Sequence, residues 1–161
     1  MYVSFEKIEE FSTNFVEFYT VRIDDDQLTE FEIFDGKDFP DHYQELEIMY
    51  NAIDIMQKEG AHKAFFAFEG PANAMPVVTK VIKYSNKTDF GLRLYCIRLT
   101  DSLVVLLNGD IKTKRNPVEC ANVSPHFTNA LRIATALDKM IFQKEITLQK
   151  PNSLTDLEIE I

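Results

Sequence analysis

Residues 93–117 contain the strongest strand pattern in the chain and read "RLYCIRLTDSLVVLLNGDIKTKRNP". Two apolar runs flank a short polar turn, which predicts a β-hairpin. The second strand passes a glycine and ends among Lys112, Lys114 and Arg115. Positive charge collects at this strand exit although the whole chain of 161 residues has a formal net charge of -9.

Charge is divided unevenly along the chain. Residues 1–62 contain four Lys or Arg and sixteen Asp or Glu, a balance of -12, whereas residues 63–150 contain thirteen Lys or Arg and seven Asp or Glu, a balance of +6. Such asymmetry is typical of a polyanion-binding face beside an acidic one. The alternative is that the acids coat exposed faces of strands and helices and maintain solubility.

Composition predicts one globular domain over residues 1–161, because 45% of the residues are hydrophobic and no linker or repeat interrupts the chain. We expect no membrane span, since there is no 18-residue apolar run and the N-terminus carries acids where a signal peptide has basic residues. A cytoplasmic location is therefore expected, with Cys96 and Cys120 reduced. Motifs for phosphate loops, dinucleotides and metals are absent, so we expect neither a metal site nor a cofactor.

Hydrophobic periodicity predicts an α+β fold with a mostly antiparallel sheet of five to six strands and two main helices packed on one face. Outside the hairpin, the expected strands are "FVEFYTVRI", "LTEFEIF", "HKAFFAFE" and "PVVTKVIKYS". The first two would pair as an acidic hairpin, preceded by a short helix or irregular structure over residues 5–11. The helices are expected over residues 38–60, ending at Gly60, and in "SPHFTNALRIATALDKMIFQ", with Ser124 as N-cap. The final "SLTDLEIEI" either adds to a sheet edge or frays.

The cations near the hairpin suggest cleavage of RNA without a metal ion. Positive groups that surround a scissile phosphate stabilise the additional negative charge of its transition state. Arg93 and Arg98 are candidates for the same polar surface, and Tyr95 or Tyr84 for stacking on a base. His126 is the histidine best placed for proton transfer, with a purely structural role as the alternative.

Residues 90–141 resemble the RelE/ParE superfamily of bacterial toxins, in particular its HigB-like branch. The resemblance rests on four segments in order, which are "RLYC", "LVVLLNG", "IKTKRNP" and "ALRIATAL". On this basis the chain divides into an acidic extension and hairpin at 1–36, a RelE-like core at 37–145 and a tail at 146–161. The chain departs from the family where Asp110 replaces an aromatic residue and Thr113 separates a lysine pair.

The resemblance implies a metal-independent mRNA endoribonuclease, often ribosome-associated, that is restrained by an antitoxin protein. By motif match Lys112 and Lys114 would contact or stabilise phosphate. The expected catalytic residues are Lys112, Lys114, Arg93 and His126, and the expected RNA-binding residues are Arg98, Arg115, Tyr95, Lys80 and Lys83. A homodimer is a further expectation. The departures favour the alternative, a non-enzymatic protein-interaction module on the same scaffold.

Overall fold

A computed structural model describes residues 1–69, 71–75, 90–149 and 151–161. Seven strands form one sheet within these ranges, which confirms the α+β class and the mostly antiparallel sheet. The strands are β1 Tyr2–Lys7, β2 Glu17–Ile23, β3 Ala67–Glu69, β4 Ala72–Met75, β5 Gly91–Thr100, β6 Leu103–Lys112 and β7 Glu158–Glu160. Their order across the sheet is β3-β4-β5-β6-β2-β1-β7. Neighbouring strands are antiparallel except β2 and β6, which are parallel.

One predicted strand and three of the candidate side chains cannot be placed. The segment "PVVTKVIKYS", with Lys80, Lys83 and Tyr84, lies outside the described residues. The predicted strand in "HKAFFAFE" is shorter than expected, because Lys63–Phe65 form a 3₁₀ turn before β3 begins.

Strands β5 and β6 form the predicted hairpin at the centre of the sheet. Leu92 pairs with Ile111, and the register shifts between Leu94 and Cys96. Near this shift the two backbones approach so closely that a Cβ atom on Gly109 would stand 1.8 Å from the carbonyl oxygen of Arg93. Only glycine fits at this point of the hairpin.

Helices cover both faces of the sheet, so the prediction that they pack on one face is wrong. The helices are α1 Glu30–Asp35, α2 Tyr43–Glu59 and α3 Ser124–Phe142. Leu94 and Cys96 of β5 share a core with residues of α1 and α2, whereas Tyr95 and Ile97 share a core with residues of α3. Strands that are apolar at successive positions are buried on both faces, which is the pattern of β5 and β6. None of the helices in the described part of the chain is long and apolar enough to cross a membrane.

The ends of the two long helices follow the predicted signals only in part. A 3₁₀ turn at Pro40–His42 precedes α2, which ends at Gly60 as predicted. Gly60 has a φ of +104°, a conformation that favours glycine. Ser124 is the first residue of α3 and not its N-cap, which is Val123.

The segment "LTEFEIF" forms α1, so the prediction of a strand there is wrong. Thr29 and Glu32 form a capping box: the Thr29 hydroxyl accepts a hydrogen bond from the Glu32 amide, and the Thr29 amide donates to the Glu32 carboxylate at 2.8 Å. Phe31 and Phe34, one helical turn apart, are both buried. The strand prediction rested on the alternation of Phe31 and Ile33 with two glutamates. The three-residue spacing of the two buried phenylalanines fits a helix and not an alternating strand.

Both chain termini contribute strands at one side of the sheet. The N-terminal residues expected to be helical or irregular belong in part to β1, which pairs with β2 and with β7. The C-terminal segment therefore adds to the edge of its own sheet, as one of the two alternatives predicted. The Glu17 carboxylate, 3% exposed, accepts hydrogen bonds from the Asn152 amide at 2.6 Å and the Ser153 hydroxyl at 2.9 Å. These bonds fasten the tail to β2.

We predict that Gly109→Ala destabilises the fold by about 1–3 kcal/mol or more, because the new methyl group collides with the β5 backbone. The free energy of unfolding in urea measures the change. Gly36→Ala is the matched control, since the nearest atom to its Cβ would be 3.4 Å away and Gly36 has a φ of -79°. Equal stability of the two variants would contradict the close approach of β5 and β6.

Candidate functional site

The structure separates the predicted site residues into buried and exposed groups. Arg93 and Lys112 have exposed fractions of only 4% and 5%, and Tyr95 is completely buried. Lys114 and Arg115 follow β6 and are exposed. The cations that the sequence places on one surface therefore differ sharply in their access to solvent.

The buried members are held by the sheet and by α3. Arg93 lies opposite Asp110 in the hairpin, and its guanidinium donates to the carbonyl oxygen of Leu92 at 2.9 Å. The ring of Tyr95 packs against Phe127 of α3, with 5.7 Å between the ring centroids. A base cannot stack on a tyrosine ring that has no exposed area.

Arg98 belongs to the other end of the hairpin. Its Nε atom donates to the carbonyl oxygen of Ala61 at 2.6 Å. Arg93 and Arg98 are five residues apart on β5, which corresponds to about 17 Å along an extended strand. The structure therefore does not bring Arg98 to the end of the hairpin where Lys112 lies.

The basic segment after β6, residues 113–115, is anchored to the loop before α3. The Sγ atom of Cys120 lies 3.3 Å from the Thr113 amide and 3.4 Å from its hydroxyl. Burial raises the pKa of the Cys120 thiol, but hydrogen bonds from Thr113 and from the backbone of Val123 and Lys114 together outweigh burial and lower it to about 7. The side-chain amide of Asn122 also donates to the carbonyl oxygen of Ile111 at 3.1 Å. The exposed Lys114 and Arg115 thus follow a stretch of backbone that is held at Ile111 and Thr113.

A second group of charged and polar side chains, which we name the Lys37 cluster, consists of Glu30, Lys37, Asn108, Asp110 and His126. The Lys37 ammonium donates to the Asn108 side-chain oxygen at 3.1 Å and to the Gly109 carbonyl oxygen at 2.8 Å. It also lies 3.5 Å from an Asp110 carboxylate oxygen and 3.4 Å from Nε2 of His126. The cluster joins α1, the loop after it, β6 and α3.

Burial and neighbouring charges shift the proton affinities in the Lys37 cluster. Burial and then the Lys37 charge lower the pKa of His126 to about 4, and the Asp110 carboxylate opposes this change. Burial raises the pKa of Glu30, while a hydrogen bond from Asn108 and the Lys37 charge act in the other direction. His126 is therefore neutral near pH 7, so it can accept a proton but has none of the charge that would stabilise a phosphate.

The geometry of the Lys37 cluster favours a structural role over a catalytic one, because Lys37 connects segments of the chain by hydrogen bonds. An ammonium group has three protons to donate, and Lys37 has four acceptors within 3.5 Å. A surface depression of about 520 Å³ adjoins the cluster, with Lys37 and Asp110 in its wall. Lys37 can present little of its charge to a ligand there, because its hydrogen bonds are already made within the protein.

Sequence reasoning identified His126 but missed Glu30, Lys37 and Asn108. Lys37 is one of only four Lys or Arg residues among the first 62 residues, and an isolated cation in an acidic segment is a weak sign of an internal ion pair. Asp110 is a second sign of an internal ion pair, because it places a carboxylate at a position near the end of the predicted second strand of the hairpin. Neither sign identifies the partner, since the two residues are 73 positions apart.

A scan against protein-family models, a search of curated proteins and a search of solved structures all find no match to this chain. The geometry and charge of the described residues are therefore the basis for a functional assignment.

We predict that His126 titrates near pH 4 in the folded protein, which NMR of its imidazole protons measures directly. Lys37→Met removes a positive neighbour and should raise this pKa, whereas Asp110→Asn removes a negative neighbour and should lower it. A wild-type midpoint near the ordinary value of about 6.5 would contradict the buried position of the ring.

The same shift predicts a pH dependence of stability. The unfolded chain binds a proton on His126 more readily than the folded protein, so the free energy of unfolding should fall as the pH decreases from about 6.5 towards about 4. His126→Gln should remove this component of the pH profile. An unchanged profile in the variant would show that other groups cause the dependence.

Proposed function

We propose that this chain is a non-enzymatic protein-interaction module on a RelE-like scaffold, and that Lys114 and Arg115 contact an acidic segment of its partner. The observation that supports this proposal is the division of the hairpin cations: Arg93 and Lys112 are almost completely buried, while Lys114 and Arg115 are exposed.

Catalysis and binding place different demands on these side chains. To cleave RNA, several cations must reach one phosphate together and surround its developing charge. To bind an acidic segment, it is sufficient that some cations are exposed and correctly spaced. The exposed pair meets the second demand, whereas the buried pair would have to leave the sheet and α3 to meet the first.

The anchoring of the basic segment supports a binding role. The backbone near the end of β6 is held by contacts to Asn122, within the strand, and to Cys120, just beyond it. Further along, the Asn116 side chain accepts a hydrogen bond from the Val118 amide at 3.1 Å. A segment that is ordered before binding loses less conformational entropy when a partner binds. Lys114 and Arg115 are thus presented on a preorganised support.

The ribonuclease implied by the family resemblance is the second candidate. Its support is that the exposed Lys114 and Arg115 precede the helix whose first turn carries His126. A neutral His126 would serve as a proton acceptor and Lys114 as a contact to phosphate. In this reading the partner would be an antitoxin that covers the basic segment.

Binding to a defined peptide tests the proposed function. We predict that a fluorescent glutamate-rich peptide binds the folded protein at low ionic strength, as measured by fluorescence anisotropy. Lys114→Ala/Arg115→Ala should weaken the affinity by roughly fivefold or more, because two exposed ion pairs together contribute on the order of 1 kcal/mol. Lys139→Ala/Lys144→Ala is the matched control, since it removes two exposed cations at the other end of α3.

The outcomes separate the two candidates. Equal losses in both double variants would indicate nonspecific attraction and would contradict the proposed contact. Cleavage of mRNA in a translating extract by the wild type, but not by Lys114→Ala/Arg115→Ala, would replace the interaction module with the ribonuclease. Intact mRNA together with selective peptide binding would support the module.

A further inference from the structure

An acidic groove lies on the sheet far from the hairpin exit in sequence, between α1 and the connection from β1 to β2. Its volume is about 330 Å³. We define the acidic groove by the residues that matter for its chemistry, which are Glu9, Glu10, Phe11, Phe31, Glu32 and Asp35. Glu9, Glu10 and Phe11 come from the connection between β1 and β2, and Phe31, Glu32 and Asp35 come from α1.

The aromatic residues of the groove are packed in a fixed arrangement. The rings of Phe11 and Phe31 are edge to face, with centroids 5.6 Å apart. Phe31 is anchored in the core, whereas Phe11 is only partly buried. Phe11 therefore offers ring area to a ligand from a rigid position.

Two carboxylates of the groove are available to a ligand, whereas Glu32 accepts hydrogen bonds from Thr29 and Asp35 accepts one from the Tyr50 hydroxyl. Glu9 and Glu10 are exposed, and within the described ranges of the chain no hydrogen bond or ion pair occupies their carboxylates. Hydrogen bonds from the backbone and side chain of Thr29 lower the pKa of Glu32, so this group is ionised at neutral pH.

Lys7 and Glu6 also line the groove, and the cations Lys7 and Arg22 are both engaged within the protein. The Lys7 ammonium lies 3.5 Å from the buried Glu17 carboxylate and 3.1 Å from the Asn152 side-chain oxygen. The Arg22 guanidinium makes two hydrogen bonds to Glu6, at 2.6 and 3.1 Å. Among the residues that line the groove, five carboxylates, including that of Glu6, therefore stand against the single ammonium of Lys7.

We infer that the acidic groove binds an arginine side chain from a basic segment of a partner protein. A guanidinium is planar, stacks on an aromatic face and forms forked hydrogen bonds with carboxylates, and the groove offers a ring at Phe11 beside the carboxylates of Glu9 and Glu10. Lysine fits less well, because its ammonium is a compact and strongly hydrated charge.

This inference goes beyond the proposed function, since it concerns other residues and a partner segment of opposite charge. It also assigns a role to Glu9 and Glu10, two of the sixteen acids in residues 1–62, for which the basic segment after β6 provides no explanation. The alternative is that the acids serve solubility alone, in which case all exposed acids of this half would attract a cationic peptide equally.

Titration of a short fluorescent arginine-containing peptide, followed by anisotropy, tests the inference. We expect the arginine peptide to bind more tightly than the same peptide with lysine, and the same peptide with citrulline to show no binding. Glu9→Gln/Glu10→Gln should lower the affinity for the arginine peptide by about tenfold. Phe11→Leu should also lower this affinity and should reduce the preference for arginine over lysine.

Glu47→Gln/Glu59→Gln is the matched control, because it removes the same charge from two exposed residues of α2 outside the groove. We expect this control to change the affinity less than about twofold. Equal weakening by both double variants, or equal affinity for arginine and lysine peptides, would overturn the inference.

NMR amide shifts of the wild type locate the peptide without relying on the folding of a variant. We expect the largest shifts within residues 8–11 and 29–35, and shifts confined to other residues would overturn the inference. Binding of the glutamate-rich peptide through Lys114 and Arg115 should be unaffected by the groove variants, so the inference and the proposed function can be contradicted independently.

Discussion

Burial of the β5–β6 hairpin on both faces is the constraint on which the rest of the structure depends. Leu94 and Leu106 pack towards α1 and α2, while Tyr95 and Val105 pack towards α3. A hairpin in this position provides the central support for both layers of helices. This burial also determines how far the charged side chains of the hairpin are exposed. A cation inside a covered strand is shielded from solvent, so groups of the protein must satisfy its charge and its hydrogen bonds. Arg93 is such a cation.

Two internal polar arrangements connect parts of the chain that are distant in sequence. Lys37 joins the loop after α1 to the end of β6 and to α3, and Glu17 joins β2 to the C-terminal tail. The Glu17 carboxylate is buried and the Lys37 ammonium is partly buried. Such charges are tolerated because hydrogen bonds satisfy them, and removing one partner leaves the other uncompensated. Lys37 and Glu17 therefore position segments of the chain. Groups that are more exposed than these two are better placed to contact a partner.

The two surfaces for which binding is proposed carry charges of opposite sign. Lys114 and Arg115 present positive charge beyond β6, whereas Glu9 and Glu10 present negative charge beside the ring of Phe11. Complementary charge increases association rates and disfavours partners of the wrong sign. Under the two proposals, Lys114 and Arg115 contact an acidic segment of a partner and the acidic groove contacts a basic one.

The sequence by itself determined the features that depend on local patterns. Continuous apolar runs around a turn predicted the β5–β6 hairpin, and helical periodicity that stops at Gly60 predicted α2. The alternating tail predicted either an added edge strand, which is β7, or a frayed end. Local patterns were ambiguous in α1, where Phe31 and Ile33 alternate with glutamates as in a strand. The three-residue spacing of Phe31 and Phe34, together with the Thr29 cap, is the signal that favours a helix.

Only the tertiary structure decided which charges reach solvent and which meet. Lys112 and Lys114 are two residues apart, yet one is covered and the other exposed, because the first is still within β6 and the second is beyond it. Lys37 and Asp110 meet across 73 positions because the fold places the loop after α1 beside β6. Burial and long-range pairing depend on how elements pack against one another, and periodicity along a single segment contains no information about the segment that will cover it.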